Sequence, residues 1–248
     1  DSPNMRTSAE KEGEEWVLNG TKQWITNGPY ADFVQVFART SPIEESGRYG
    51  GITCFLVEDD EYEVSSFNNA VGMVGMQAEL VFDDVRLPES RVLGTVDSGF
   101  YQAMDFLTLG RLELGAEAVG HAEYALEEAA EYAGDREQGG QAVGEYQAVQ
   151  VLVADMDAHL HGARNLVYDS AAAIAADEPD TRASSRAKWV ASDAAEFVTR
   201  NAIQVHGGRG YRKGEPVERY FRDAKILSII GGTTEIQKTT VARQALGL

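Results

Sequence analysis

The stretch Leu87-Pro-Glu-Ser-Arg-Val-Leu-Gly-Thr-Val-Asp-Ser-Gly-Phe100 marks the point at which the character of the sequence changes. Before it, short segments rich in Val, Ile, Phe or Trp alternate with turn residues such as Asn19-Gly20, a pattern typical of strands. After it, Ala, Leu and Glu dominate, and no proline occurs until Pro179, a pattern typical of long helices. The sequence therefore predicts an α+β chain with two domains, residues 1–97 and residues 98–248.

The spacing of apolar residues, together with the turn residues between segments, predicts where the individual strands and helices lie. The predicted strands are Glu15–Leu18, Lys22–Thr26, Phe33–Arg39, Gly51–Val57 and Glu79–Arg86. Short strands at this spacing favour a small antiparallel barrel or sandwich. The predicted helices are Phe100–Gly134, Val143–Ala176, Arg182–His206, Val217–Ile229 and Thr234–Leu246. Long helices with short connections favour an antiparallel helical bundle over a globin-like packing.

Composition excludes several classes of protein. The 248 residues are 43% hydrophobic, which excludes disorder as the main state. No apolar run approaches the ~20 residues that a membrane span needs. The net charge of −18 disfavours binding to nucleic acid or to an anionic membrane surface. The single cysteine, Cys54, excludes an intramolecular disulfide framework and the common multi-cysteine zinc sites.

Arginine is much more frequent than lysine among the basic residues. Of the 22 basic residues, 16 are Arg and only 6 are Lys, and acidic runs such as Asp177-Glu-Pro-Asp180 recur. An acidic, lysine-poor surface is suited to a salty cytoplasm, where ions screen the repulsion between like charges. We therefore expect a cytoplasmic protein from a halophile, the alternative being a merely acidic protein.

Three short stretches combine residues that bind ligands in other proteins. In Trp24-Ile-Thr-Asn-Gly28, a Trp and a Thr two positions apart project from one face of a strand and suit a planar heteroaromatic ligand. The stretch Gln204-Val-His-Gly-Gly-Arg-Gly210 lets backbone amides approach a phosphate, or simply ends a helix. In Gly231-Gly-Thr-Thr-Glu-Ile-Gln237, a Thr caps a helix or faces a polar ligand. His206 has no second ligand at metal spacing, so no metal site is predicted.

Further motifs connect these stretches in a fixed order, and together they resemble the acyl-CoA dehydrogenase family of flavoproteins. The resemblance runs the length of the chain and includes Leu18–Gly28, Phe82–Pro88, Leu93-Gly94, Gly99-Phe100, Gly110-Arg111, Asp135–Gln138, Glu145–Gln147, Ala154–Met156, Ala187-Lys188, Gln204–Tyr211, Pro216–Arg219, Arg222–Lys225 and Gly232-Thr233.

The resemblance implies a specific domain arrangement. Members of the family have an N-terminal helical domain, a middle β-domain and a C-terminal four-helix bundle. This sequence matches from inside the β-domain, so residues 1–97 are expected to be an incomplete middle domain and residues 98–248 the bundle. The N-terminal helical domain is then absent from the sequence, either because it is a fragment or because another chain supplies that part.

The resemblance also implies FAD as the cofactor and assigns residues to it. Trp24 and Ile25 would lie at the flavin, with Trp24 packed on the isoalloxazine and Thr26 near its hydride-accepting nitrogen. Arg136 and Gln138 would approach the FAD of a neighbouring subunit. The other expected cofactor positions are Tyr146, Gln147, Gln204, Gly207, Gly208, Thr233 and Glu235. Arg111 matches the arginine beside the acyl-CoA pocket, and no metal is expected.

The expected catalytic base is missing. Family members carry a Glu immediately before the Gly-Thr of the last motif, or, in a smaller group, immediately before the bundle arginine; here these positions are Gly231 and Gly110. The base could come from the missing upstream region, from Asp105 or Glu113, or from nowhere in the protein. Another departure is Gly139, where the family has Phe and an apolar contact with the neighbouring cofactor.

The function expected from the resemblance is FAD-dependent α,β-dehydrogenation of an acyl-CoA, with electrons passed to an electron-transferring flavoprotein. A homo-oligomer (dimer or tetramer) is expected, or a heteromer with a chain that supplies the N-terminal domain. Two alternatives remain open: a non-catalytic subunit of a heteromeric dehydrogenase, and a flavin-dependent monooxygenase on the same fold.

The acidic surface gives a direct prediction. The melting temperature should rise from low to molar KCl, because the screening length falls to ~3 Å at 1 M salt and the repulsion between carboxylates weakens. Thermal melts across KCl concentrations measure the effect, and a neutral osmolyte at matched osmolality is the control. A melting temperature that stays flat or falls with KCl would contradict haloadaptation.

Overall fold

The computed structural model describes residues 2–72 and 75–248. Two compact units divide the chain, Asp1–Phe106 and Leu107–Leu248. The first unit contains a sheet and the second is helical, in agreement with the predicted α+β class. No helix in the described ranges is long and apolar enough to cross a membrane.

A seven-stranded sheet forms the first unit. Its strands are β1 (Ser8–Glu12), β2 (Glu15–Thr26), β3 (Phe33–Arg39), β4 (Ile52–Glu58), β5 (Glu63–Phe67), β6 (Gln77–Pro88) and β7 (Val92–Leu93), and a short helix, α1 (Ile43–Ser46), precedes β4. The strand order is β5-β6-β2-β1-β3-β4-β7. Among the described residues β5 and β7 do not pair, so the sheet stays open and the barrel alternative is wrong. All pairs are antiparallel except β1 with β3, which meet in parallel at Ser8 and Arg39.

The Asn19-Gly20 pair, read in the sequence as a turn, instead lies inside one long strand, opposite an extra residue in β6. The pairing of β2 with β6 shifts register between Leu18 and Gly20. The Asn19 side chain donates to Asp84 Oδ1 at 3.0 Å and accepts the Asp84 backbone N–H at 2.8 Å. Gly20 has a φ of +136°, and a Cβ there would lie 2.8 Å from the Cα of Thr7. Glycine is needed because another backbone segment passes this close.

The core of this unit comes from the inward positions of β1 to β4 and β6. Trp16 and Phe55 meet edge to face with ring centroids 5.6 Å apart. The other buried members are Ala9, Leu18, Val36, Ala38, Val57, Ala78, Leu80, Phe82 and Leu87. Burial of these side chains on one face fixes the register of the strands, since a slip of one residue would turn them to water.

A polar cluster secures the segment that leads out of the sheet. The Asp97 carboxylate accepts hydrogen bonds from Thr40 Oγ1 at 2.6 Å and Ser41 Oγ at 2.8 Å. The Asp97 backbone N–H donates to Thr53 Oγ1 at 2.9 Å. Two residues later, a Cβ on Gly99 would lie 3.0 Å from the backbone of β4. The close approach explains why a glycine begins the first long helix.

Three long helices and two shorter ones follow. They are α2 (Gly99–Asp135), α3 (Gln147–Ala175), α4 (Thr181–His206), α5 (Pro216–Leu227) and α6 (Thr234–Leu246). Between α2 and α3 lies a small hairpin of β8 (Glu137–Gln138) and β9 (Gln141–Ala142). The predicted helices agree with these bounds to within a few residues. Asp180 caps α4 through its side chain, and Thr233 caps α6.

Alanine dominates the contacts between the long helices. In two buried clusters, α2, α3, α4 and α5 meet through Ala118, Ala122, Ala125, Ala129, Ala163, Ala187, Ala191, Ala194, Ala195, Ala202 and Ala224, with Met156, Leu160, Val167, Val198, Val217 and Leu227 filling the remaining space. Small side chains let helix backbones approach closely. The helical unit therefore tolerates little extra volume at these positions.

The close packing gives a stability prediction. Ala118→Leu should lower the free energy of unfolding by about 1–3 kcal/mol, because Ala118 is fully buried and the added atoms have no space. Ala116→Leu is the matched control, since Ala116 is exposed on the same helix and should change stability by less than about 0.5 kcal/mol. Urea unfolding followed by circular dichroism measures both. Equal effects of the two substitutions would contradict tight packing at Ala118.

Candidate functional site

Trp24 lies in a strained position near the end of β2. The pairing of β2 with β6 shifts between Lys22 and Ile25, and Trp24 sits in this bulge with a φ of +59°. Such a φ is rare for a bulky residue and costs folding energy. The indole is nevertheless 61% exposed, so burial does not repay the strain. Thr26 is exposed as well, whereas Ile25 between them packs against the core.

The backbone after Trp24 is held firmly from behind. Asn27 has a φ of +62° and donates its backbone N–H to the Met76 carbonyl at 2.7 Å. The Tyr62 hydroxyl donates to the Gly28 carbonyl at 2.7 Å. Gly28 is buried, and a Cβ there would lie 2.9 Å from the Ile25 side chain. The exposed Trp24 and Thr26 thus stand on a rigid base, as a preformed ligand surface requires.

The β8–β9 hairpin carries the predicted Arg136 and Gln138. Both side chains are exposed, and Arg136 Nη2 donates to Gln138 Oε1 at 3.2 Å. The Arg136 carbonyl accepts the Val143 backbone N–H at 2.7 Å. Tyr146, which precedes α3, donates its hydroxyl to the Gln138 carbonyl at 2.8 Å. Gln147 is exposed as the first residue of α3.

The end of α4 contains Gln204, Gly207 and Gly208. Gly207 terminates the helix with a φ of +59°, and its N–H donates to the Gln204 carbonyl at 3.2 Å. Gly207 thus ends the helix, which is one of the two roles predicted from the sequence for Gln204–Gly210. A Cβ on Gly207 or Gly208 would meet nothing within 4 Å, whereas Gly210 is tightly packed. The two glycines therefore present open backbone that a ligand could approach.

His206 has a packing role. Its ring stacks on Tyr132 with centroids 4.3 Å apart, and Nδ1 lies 2.8 Å from the Ala202 carbonyl. Both rings line a cleft of about 380 Å³ on the helical unit. Its remaining walls are Glu128, Glu131, Asp135, Arg136, Arg209 and Glu215. The cleft thus brings the base of the hairpin and the end of α4 together. The family resemblance assigns residues of both segments to FAD binding.

The turn before α6 is built from two glycines in left-handed conformations. Gly231 has a φ of +62° and Gly232 a φ of +91°. Gln237 Nε2 donates to both of their carbonyls, at 3.1 and 3.0 Å. Lys188 Nζ donates to the Gly232 carbonyl at 2.9 Å. Because Lys188 and Gln237 are fully buried, the turn is held from inside the helical unit.

Two cations, Arg111 and Lys188, lie in this buried region, and no carboxylate in the described part of the chain is bound directly to either. Arg111 is 9% exposed and donates only a long bond to Ser185 Oγ, at 3.4 Å; its Nε has no partner among the described residues. Burial lowers the pKa of Arg111. Burial, with the nearby charge of Arg111, lowers the pKa of Lys188 to about 8. The region would therefore stabilise an added negative charge.

The positions expected for the base differ in what surrounds them. A Cβ on Gly231 would lie 2.3 Å from Leu114 Cδ1, so Leu114 occupies the space that a side chain would enter. Gly110 lies on α2 directly before Arg111. The two acidic candidates, Asp105 and Glu113, are exposed. Thr233 is the N-cap of α6, and Glu235 is exposed in its first turn.

Sequence reasoning did not identify Lys188 and Gln237 as parts of the site. Their signal was weak: a lysine inside a Ser- and Ala-rich helix, in a chain with few lysines, and a glutamine on a helix of polar character. Only the fold shows that both reach the Gly231-Gly232 carbonyls. In the described part of the chain, no group of His, Cys, Asp and Glu could hold a metal ion.

Comparison with known proteins identifies the family. Residues 1–85 match the family model of the acyl-CoA dehydrogenase middle domain, and residues 97–246 match that of the acyl-CoA dehydrogenase C-terminal domain. The chain is 40% identical over 250 residues to the probable acyl-CoA dehydrogenase FadE25 of Mycobacterium tuberculosis, covering 99% of this chain and 64% of the relative.

Solved structures agree. Butyryl-CoA dehydrogenase from Megasphaera elsdenii matches with a TM-score of 0.94 and 39% identity, over 99% of this chain and 64% of that one. A chain in the structure reported as "Electron transferring flavoprotein of Acidaminococcus fermentans: Towards a mechanism of flavin-based electron bifurcation" matches with a TM-score of 0.95 and 37% identity, over 99% and 65%. The chain spans just under two thirds of these proteins, and it belongs to the acyl-CoA dehydrogenase family.

Proposed function

We propose that this chain is part of an FAD-dependent acyl-CoA dehydrogenase. The observation that carries the proposal is Trp24, a strained aromatic residue that is exposed on a rigid backbone. Strain of this kind persists where the surrounding structure enforces it and is concentrated at functional sites. A planar ring stacked on the indole would recover apolar burial that the protein alone does not provide.

The residues present fit FAD on each unit taken by itself. On the sheet unit, Trp24 offers an aromatic face and Thr26 a hydroxyl beside it. On the helical unit, Gly207 and Gly208 leave room at their backbone, and the Arg136 guanidinium is exposed for an anionic group. When bound, FAD would accept the hydride that leaves the β-carbon of the thioester. The protein's tasks are to bind, to orient and to remove the α-proton.

The α-proton needs a base, and we infer that none stands at the two usual positions. Gly231 and Gly110 carry no side chain, and Asp105 and Glu113 are exposed, whereas a carboxylate raised to a useful pKa requires burial. The first candidate is a carboxylate from another segment, in this protein or in a partner subunit. Two opposing effects would set the pKa of this carboxylate: burial raises it, and the charges of Arg111 and Lys188 lower it.

We propose an acyl-CoA thioester as substrate, with Arg111 near it, and an electron-transferring flavoprotein as electron acceptor. The likeness to a chain in the Acidaminococcus fermentans structure supports that acceptor. A homo-oligomer, or a heteromer that supplies further domains, would complete the enzyme, and the absence of both usual carboxylates is what favours a non-catalytic subunit as the second candidate.

Anaerobic titration tests the function. Acyl-CoAs of several chain lengths are added to the flavin-loaded protein, purified with any subunit that accompanies it, and the visible flavin absorbance is followed. We expect at least one acyl-CoA to bleach the flavin without oxygen. Flavin binding without bleaching would instead indicate a non-catalytic subunit, and product formed only with oxygen would indicate a monooxygenase.

Restoring a carboxylate tests the missing base. Gly231→Glu alone should misfold the turn, because Leu114 occupies the space and the backbone is left-handed. The double variant Gly231→Glu/Leu114→Ala should place a carboxylate beside the buried cations. If no other base operates, the rate constant of flavin reduction in stopped-flow measurements should rise, by up to the ~10²–10⁴-fold typical of general-base catalysis.

The matched control is Gly231→Gln/Leu114→Ala, which has the same shape and no base. Leu114→Ala alone measures the effect of the cavity. Equal rates for the Glu and Gln variants, with acyl-CoA and FAD both bound, would show that position 231 cannot act as a base in this protein.

A further inference from the structure

The β8–β9 hairpin (residues 136–142) is short and lies on the surface, yet several bonds outside its own ladder fix it. Its two strands pair only through Glu137 with Ala142 and Gln138 with Gln141. Isolated two-stranded hairpins are marginally stable in water. Its conformation therefore depends on the contacts that its ends make with α2 and α3.

The Tyr146 hydroxyl is the side-chain contact that reaches the tip of the hairpin. It donates to the Gln138 carbonyl at 2.8 Å, across eight positions of sequence. The backbone of Tyr146 is itself placed by its N–H bond to the Val143 carbonyl, at 3.2 Å, at the start of α3. A long helix thereby holds the strand that ends at the turn.

Gly139 belongs to the same arrangement. It begins the turn with a φ of +65°, and a Cβ there would lie 2.4 Å from the Tyr146 hydroxyl oxygen but 3.7 Å from its Cζ. The hydroxyl thus fills the space into which a side chain at position 139 would project. Gly140 has a φ of +92° and open space around it, so it shares the unusual backbone but not the contact.

Arg136 directly precedes the held strand, β8. Its guanidinium is bonded to the Gln138 side chain, and within the described residues it forms no ion pair with a carboxylate. The exposed, planar guanidinium of Arg136 is suited to bidentate contact with a phosphate group, and it lines the same cleft as the carboxylates of Glu128, Glu131, Asp135 and Glu215. Any motion of Gln138 would move the atom that orients this guanidinium.

We propose that Tyr146 is a positioning residue: its hydroxyl bond to the Gln138 carbonyl fixes the hairpin so that Arg136 faces a diphosphate-bearing ligand, and Gly139 is required because the hydroxyl occupies its side-chain space. The proposal rests on the proposed FAD-binding function. It gives Tyr146 an indirect role in place of the direct cofactor contact expected from the family resemblance.

The first test compares the dissociation constant of FAD, measured by flavin fluorescence on the assembled protein, for Tyr146→Phe, Arg136→Gln and the double variant. Tyr146→Phe should weaken binding about 3- to 10-fold, the effect of one hydrogen bond. Arg136→Gln should weaken it more, and the double variant should bind no more weakly than Arg136→Gln alone. Amide hydrogen exchange in residues 137–142 should accelerate in Tyr146→Phe, while the melting temperature stays unchanged.

The second test uses glycine substitutions. Gly139→Ala should weaken FAD binding strongly in the native protein and add little in the Tyr146→Phe background, because the ring without its hydroxyl leaves 3.7 Å. Gly140→Ala is the matched control, which carries the backbone strain without the contact and should act equally in both backgrounds.

The outcomes distinguish a failure of the proposed role of Arg136 in FAD binding from a failure of the proposed role of Tyr146. If Arg136→Gln leaves FAD affinity unchanged, the proposed role of Arg136 fails and this inference fails with it. If Arg136→Gln weakens binding but Tyr146→Phe changes neither affinity nor exchange, the function stands and the inference is wrong. Equal effects of Gly139→Ala and Gly140→Ala in both backgrounds would also overturn it.

Discussion

Alanine side chains let α4 lie against α2 and α3 at close range, and the candidate site depends on this packing. Ala187, Ala191, Ala194 and Ala195 are almost completely buried along α4. Side chains of this size leave no slack, so the polar residues interspersed on the same helix have fixed positions. Lys188 lies between two of these alanines, and Ser192 donates to the Leu227 carbonyl at 3.0 Å, which ties the end of α5 to α4.

The buried cations near the Gly231-Gly232 turn follow from the same packing. A lysine at full burial is costly unless its protons are used, and Lys188 uses one on a backbone carbonyl. The turn gains a rigid shape in return, with Gln237 holding it from α6. Among the described residues no carboxylate is bound directly to Lys188 or Arg111, although the charges of Asp193 and Glu235 act on Lys188.

Much of the fold could be predicted because hydrophobic period reports burial on one face. Strand β3 and helix α6 match the predicted bounds. Strands β1 and β5 were missed since Ser8-Ala-Glu-Lys-Glu12 and Glu63-Val-Ser-Ser-Phe67 are mostly polar, and Ala9 and Val64, which reach the core, are too few to form an alternating apolar pattern. The sequence also could not predict that the sheet is open, because closure depends on whether its edge strands, β5 and β7, pair with each other.

The candidate site, too, was predictable only in part. Motif resemblance pointed to Trp24 and Arg136, which are exposed, and to Gly207, which has open space around it, but it could not show that Trp24 is left-handed or that Leu114 fills the space beside Gly231. Those facts depend on bulges and on packing between helices, which no local pattern encodes. Lys188 could not be predicted as a site residue because its contact with the Gly232 carbonyl also depends on packing between helices.

The setting of Trp24 also makes it an optical reporter. The chain has three tryptophans; Trp16 is buried in the core, and the indole of Trp189 donates to Asp193 at 2.7 Å. Trp24 alone among them is mostly exposed, so we expect it to emit at longer wavelength than the other two and its emission to change when its ring is covered. The bulge that exposes this residue thus makes tryptophan emission a suitable measurement for any ligand that covers its ring.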